Sequence, residues 1–344
     1  MTYKNYFINK YKKYRTRNGK FLALIQIIIF TINKLVCYLL INFISKRNKT
    51  RQLLNKKILF IEPIGQGFGD LLFQTPLFRS WSENGYTVNI LLAKKRHADI
   101  IRNNPYIEDV FTWSIIDLFR ILFMDYESLF GLCRDSVREN LLLISKISSN
   151  KILPDFDLAL WEETFLANSN TIAWQIITNK INPNLHSRGI PQIFFSKSEE
   201  RYISRNKNGK IVIVVGVENK FKQMPGLTDF LSYIPNNFLE KVVLTGRGEN
   251  YNVGKLPVKN LINKLTYREN LLEIASADFV FGPEGSLVHA ASVLGTKTAI
   301  WDPEKLFIKN AHPLLLHKGN LFFIYSKGEL KSVIEYMNLS FEAN

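Results

Sequence analysis

The chain has 344 residues, 46% of them hydrophobic, and a formal net charge of +15. That length exceeds what one hydrophobic core usually fills and indicates two domains. Residues 1–57 hold 14 Lys or Arg and no Asp or Glu, which leaves 31 basic and 30 acidic side chains beyond them. The globular part is therefore nearly neutral, and a basic nucleic-acid-binding face across it is excluded.

Within the basic arm, residues 1–55, the run Phe21–Ser45 is almost continuously apolar, with seven Lys or Arg before it and six after it up to and including Lys57. As a helix it places Lys20, Thr31, Lys34, Asn42 and Ser45 on one narrow stripe. This pattern suits a helix lying in a membrane interface, its lysines among anionic headgroups. A spanning helix is long enough but puts Lys34 near mid-bilayer, at about 2.5–3.5 kcal/mol on insertion scales. A helix packed on the protein's own surface is the third reading. A cleaved signal peptide is disfavoured, because the apolar run is too long and lacks a small-residue cleavage site. The expected partner of residues 1–57 is an anionic membrane surface.

A first domain is expected over 56–206. Lys57–Pro63 reads as a buried strand and Asp70–Asn84 as a helix. Between them stand Gly65, Gly67 and Gly69, which let the backbone turn sharply and bring a ligand close. Asp70 then lies at a helix start beside a strand-end crevice, where a carboxylate suits a general base; capping the helix explains it equally well. A dinucleotide-binding fingerprint is disfavoured. Asp70 occupies the place of its last glycine, and the next strand, Tyr86–Leu92, ends without an acid. A helix around His97–Asn104 and short strands at Val110–Trp113 and Leu158–Trp161 follow. Residues 114–150 lack a clean period and read as helical insertions.

The polar turn Asn206–Gly209 opens a second unit of the same design, 207–327. Strands are expected at Lys210–Gly216, Lys241–Gly246, Asp278–Gly282 and Thr298–Trp301. Thr266-Tyr267-Arg268-Glu269 has capping-box spacing for a helix through Leu271–Ser276. A small-residue helix, Leu287–Leu294, follows Pro283-Glu284-Gly285-Ser286. A final helix, Gly328–Met337 within 328–344, has the option of returning to brace the first domain. Alternating strands and helices imply parallel sheets covered on both faces.

The Glu284-Gly285-Ser286 turn joins a strand end to a helix start, where free N–H groups and the positive helix end attract an anion such as a diphosphate. Ser286 adds a hydroxyl, and Glu284 suits ribose or sugar hydroxyls. An ordinary helix start with an acidic neighbour is the plain alternative. Cys37 and Cys133 are the only cysteines, which excludes a disulfide framework or a cysteine zinc site and fits a reducing, cytoplasmic setting. No two of the five histidines have metal-ligand spacing on one helix, so neither a metal nor another cofactor is implied.

Four segments in order give the chain a resemblance to glycosyltransferase family 9, the heptosyltransferase-like enzymes. They are Gly69-Asp70 with Thr75-Pro76, Asn104-Pro105-Tyr106-Ile107-Glu108-Asp109-Val110, Lys222-Gln223-Met224-Pro225, and Ala277–Gly295 with its Gly282-Pro283-Glu284-Gly285-Ser286-Leu287-Val288-His289 centre. The resemblance implies an α/β GT-B fold, with two Rossmann-like domains facing across a cleft. It also implies inverting, metal-independent transfer of a hexosyl or heptosyl group from a nucleotide-sugar donor, in lipopolysaccharide or cell-envelope biosynthesis. Carried over residue by residue, Asp70 is the general base and Lys222 the lysine near the donor phosphates. Glu284, Gly285, Ser286 and His289 form the donor turn. With the phosphates assigned to that turn, Gly65, Gly67 and Gly69 read as an acceptor-side loop that brings the acceptor close to Asp70. The family's Asp is Glu284 here, its Ser-Gly is Gly285-Ser286, its Gly-Pro-Thr-Asp-Pro is reduced to Asp302-Pro303, and Val217-Glu218 replaces small polar residues. All four departures touch the donor side and point away from ADP-heptose.

The expected activity is sugar transfer to a lipid-linked or cell-envelope glycan at the cytoplasmic face of the inner membrane. The alternatives are a non-catalytic membrane-associated glycan-binding scaffold of the same fold and, behind it, a nucleotide-sugar epimerase.

Overall fold

The computed structural model describes residues 56–62, 67–124, 126, 128–131, 150–152, 191–216, 226–248, 253–302 and 321–342. Gly65, Lys222 and the Leu158–Trp161 segment lie outside them, as do the apolar run Phe21–Ser45 and, of Asp70, the side chain. The chain divides into two compact units. One comprises Met1–Gln66, Trp81–Lys95 and Tyr106–Asp157; the other comprises Gly67–Ser80, Arg96–Pro105 and Leu158–Asn344.

The first unit holds a parallel sheet of β1 (Lys57–Ile61), β2 (Thr87–Leu92), β3 (Asp109–Thr112), β4 (Ser128–Gly131) and β5 (Asn150–Ile152), in the order β3-β2-β1-β4-β5. β1 is central and its Ile58, Leu59, Phe60 and Ile61 are fully buried, as apolar runs in parallel sheets are. Strand β4 lies in the stretch 114–150 read from sequence as helical insertions, and β5 begins at its last residue. Each is short and has no period of its own, and pairing beside β1 is what makes it a strand. Among the described residues of that stretch one helix forms, α3 (Ile115–Phe123), whose N-cap Ser114 accepts from the Asp117 N–H at 3.1 Å.

Helix α1 (Phe68–Glu83) carries Pro76 in its interior. Proline has no N–H for the Leu72 carbonyl four residues earlier. The Thr75 hydroxyl supplies the missing donor, at 2.8 Å, and itself accepts from the Gln192 N–H at 3.0 Å. The Thr75 hydroxyl thus takes over the bond that Pro76 is unable to make. Between β2 and β3 the expected His97–Asn104 helix is a single turn, α2 (Ala98–Ile101).

The second unit is a parallel sheet in the order β11-β10-β9-β6-β7-β8. Its strands are β6 (Ile211–Val214), β7 (Val242–Thr245), β8 (Lys259–Asn260), β9 (Phe279–Pro283), β10 (Lys297–Trp301) and β11 (Leu321–Ile324), all paired parallel. Around it lie α4 (Lys197–Asn206), α5 (Leu227–Tyr233), α6 (Asn236–Leu239), α7 (Tyr267–Ala275), α8 (Ser286–Val293) and α9 (Leu330–Glu342). The Thr266–Glu269 capping box forms as the spacing predicts, and a second one, Ser196–Glu199, starts α4. Leu330, Val333, Ile334 and Met337 of α9 repeat at helical spacing and fill the second unit's core with Phe279, Phe281 and Ile324.

Candidate functional site

The site grows from the carboxyl edge of the second sheet. Gly282 in β9 lies so close to β6 that a Cβ there would stand 2.7 Å from the Val214 Cβ and carbonyl oxygen. Gly246, just past β7, has φ +96°, and a Cβ on it would meet the Gly216 carbonyl at 2.8 Å. These two glycines let three strand ends close together, which leaves the turn after β9 to form the crevice mouth. The Glu284 N–H is held by the Trp301 carbonyl at 2.9 Å.

Gly285 is fully extended, with φ 170° and ψ 174°, a conformation open to any residue. Reversal of the family's Ser-Gly order therefore carries no backbone strain. Helix α8 starts at Ser286 with no side-chain cap, so the positive end of its dipole is left for a ligand. Its side chains from Leu287 to Val293 are all buried, which fixes its direction.

Glu284 and His289 form a pair: Oε1 and Nε2 are 2.9 Å apart, with the His289 side chain 5% exposed and Glu284 20%. The longer arm of glutamate makes this reach across the turn. Phe73 of α1 packs edge-on to the His289 ring at 5.2 Å between centroids. Gly69 lies against the same turn, since a Cβ on it would be 3.7 Å from Ser286 and from His289 Cδ2. The first turn of α1, with Asp70 next in sequence, thus meets the first turn of α8 inside the second unit. Of the residues singled out in the sequence, Gly69, Glu284, Gly285, Ser286 and His289 come together here. Gly67 is described as an exposed residue immediately before α1.

Sequence reasoning passed over the aromatic and ionic frame around this meeting point. Phe68 stacks on Tyr267 at 3.6 Å, packs against His97 at 4.6 Å, and lies under the Arg96 guanidinium at 5.5 Å. Burial pushes the Tyr267 phenol well above its ordinary range, and the Ser286 side chain beside it works against that rise. Next to Tyr267, Arg268 is 3% exposed and uses every arm of its guanidinium. Nε and Nη2 bind the two Glu199 oxygens at 2.7 Å each; Nη1 donates to the Asp99 carbonyl at 3.1 Å and Nη2 to the Phe194 carbonyl at 2.6 Å. The Arg268 hydrogen bonds hold the Glu199 carboxyl down at about 2. A third clamp joins Lys210, Glu273 and Tyr202, with Lys210 Nζ and the Tyr202 hydroxyl each 2.9 Å from a Glu273 oxygen. Among the described residues, no group of three or more His, Cys, Asp or Glu is placed to hold a metal ion, and no helix is long and apolar enough to cross a membrane.

The sequence matches no protein-family model and no curated protein. Solved structures do match. E. coli ADP-heptose lps heptosyltransferase II aligns with a TM-score of 0.61 at 15% identity, over 83% of this chain and 99% of its own. The glycosyl transferase family 9 protein from Veillonella parvula DSM 2008 aligns with a TM-score of 0.62 at 10% identity, over 85% and 99%. The E. coli heptosyltransferase WaaC with ADP gives 0.55 at 12% identity, over 83% and 99%. At these identities the likeness is one of fold, and the fold is GT-B, shared with heptosyltransferases.

Proposed function

We propose that this chain is an inverting, metal-independent glycosyltransferase that moves a sugar from a nucleotide-diphosphate donor to a lipid-linked or cell-envelope glycan, at the cytoplasmic face of the inner membrane. The observation that carries the reading is the meeting of two helix starts: Gly69 of α1, just before Asp70, against Ser286 of the uncapped α8. An anion at α8 is then within reach of a base from α1. The Asp70 carboxylate takes the proton of the acceptor hydroxyl as that oxygen bonds to the anomeric carbon. The bond from that carbon to the donor phosphate breaks, and the nucleoside diphosphate departs with the electron pair, its charge met by the α8 N–H groups and Lys222. Glu284, oriented by His289, accepts from a donor hydroxyl. The basic arm keeps the enzyme beside an amphiphilic acceptor.

The E. coli heptosyltransferase II of like fold is named for ADP-heptose, whereas the four donor-side departures favour another nucleotide sugar. A panel of nucleotide sugars screened by thermal shift identifies the donor, because a ligand at 100 times its dissociation constant stabilises by about 2.7 kcal/mol. If none binds, the reading fails, and the non-catalytic scaffold, which the same departures favour, takes its place.

A further inference from the structure

Among the described residues, five large apolar side chains are exposed, and four of them, Val110, Ile115, Ile116 and Phe123, fall on β3 and α3 of the first unit. Ile116 and Phe123 are each 74% exposed and stand seven residues apart, on one face of the helix. The opposite face is committed to the sheet: Ile121 is buried with Leu59, Ile61, Leu91 and Phe111, and Leu118 packs against them. The outer face has its charges settled. Asp117 accepts from the Thr112 N–H at 2.8 Å and its hydroxyl at 2.7 Å, and Arg120 lies 3.4 Å from Asp109 and 3.8 Å from Asp117.

The topology says where one end of this face lies. Strands of a parallel sheet all begin at one edge, and α3 runs back to that edge before β4. Ser128, five residues beyond Phe123, pairs with Ile58. The Phe123 end of α3 therefore lies at the edge where β1 begins, after residues 1–57 with their 14 Lys or Arg and no acid. A second copy is a poor occupant, since a stable protein interface takes about 20–30 residues a side. A short helix with an apolar outer stripe, beside a strongly cationic segment, suits a bilayer with anionic headgroups.

We infer that the outer face of α3, through Ile115, Ile116 and Phe123, is a second membrane-contact surface that seats the first unit on an anionic bilayer beside the basic arm. The inference rests on the membrane reading of that arm and specifies which folded surface meets the lipid.

The test uses the full chain and vesicles of phosphatidylcholine alone or in equal parts with phosphatidylglycerol. In Phe123→Trp the face stays apolar, and its emission in excess of the parent chain, which has five tryptophans of its own, shifts to the blue on adding mixed vesicles and is quenched by brominated phosphatidylcholine. The Ile116→Ser/Phe123→Ser chain, altered only at solvent-facing positions, loses about a hundredfold in vesicle partition, roughly tenfold per side chain, and retains its far-ultraviolet dichroism. A vesicle-bound Phe123→Trp chain that brominated lipid quenches no more than it quenches the parent overturns the inference, as does a double variant that floats like the parent. A blue shift that grows with protein concentration in the absence of lipid overturns it in favour of a second copy. Donor turnover with a short soluble acceptor, measured in parallel, stays unchanged in both variants; its absence in the parent chain indicts the proposed reaction and not the membrane face.

Discussion

At the residue scale, the closest packing and the proposed chemistry fall on different glycines. Gly282 faces fixed backbone and a Cβ at 2.7 Å, so nothing flexible can give way. Gly282→Ala is expected to cost about 1–3 kcal/mol by overpacking, measured as a lowered urea midpoint. Gly69 is the contrasting case. A Cβ there meets Ser286 and His289 at an ordinary 3.7 Å, and alanine favours a helix by about 1 kcal/mol over glycine. Gly69→Ala is therefore expected to fold as well as the parent or better, while its methyl fills the gap between the two helix starts and slows transfer. Asp70→Asn is expected to lower kcat by about 10²–10⁴-fold with donor affinity kept, the signature of a lost base. Wild-type turnover in that variant would remove Asp70 from the mechanism.

At the element scale, α7 is the organiser, and little of that was legible beforehand. Its capping box was readable because Thr266 and Glu269 stand at fixed spacing. The donor turn was readable because strand, turn and helix follow each other locally. The Arg268–Glu199 pair was not, since its partners are 69 residues apart and each alone looks like a surface charge. β4, β5 and β11 were missed for a related reason: each is a short strand whose state is set by a neighbour it pairs with. The pair also carries a pH dependence. Glu199 titrates near 4.5 when unfolded and near 2 when folded, so its stabilisation is complete above 4.5 and lost as pH falls toward 2. Glu199→Gln leaves a buried guanidinium short of its counter-charge and is expected to cost about 3 kcal/mol. It should also flatten the acid limb of the stability curve between those pH values, read by denaturant midpoints at successive pH.

At the scale of the whole molecule, the net charge of +15 is an average over two unlike parts, a cationic arm and a nearly neutral body. A chain lacking residues 1–55 is expected to keep its folded body and its donor response while losing its preference for anionic vesicles, as flotation would show. The paired Rossmann-like architecture was legible in alternating apolar runs.

The second unit is assembled from three stretches of chain, beginning at Gly67 and closing with a core that includes Ile324, Val333 and Met337. A ribosome releases the earliest of these stretches long before the last. Through most of translation, then, the α1 turn has no α8 to rest on, and β10, once made, still waits for β11. Folding of this unit waits on β11 and α9, with contacts of long sequence separation that slow it. A chain stopped before Leu321 should accumulate as aggregate, even though every proposed site residue has already been made.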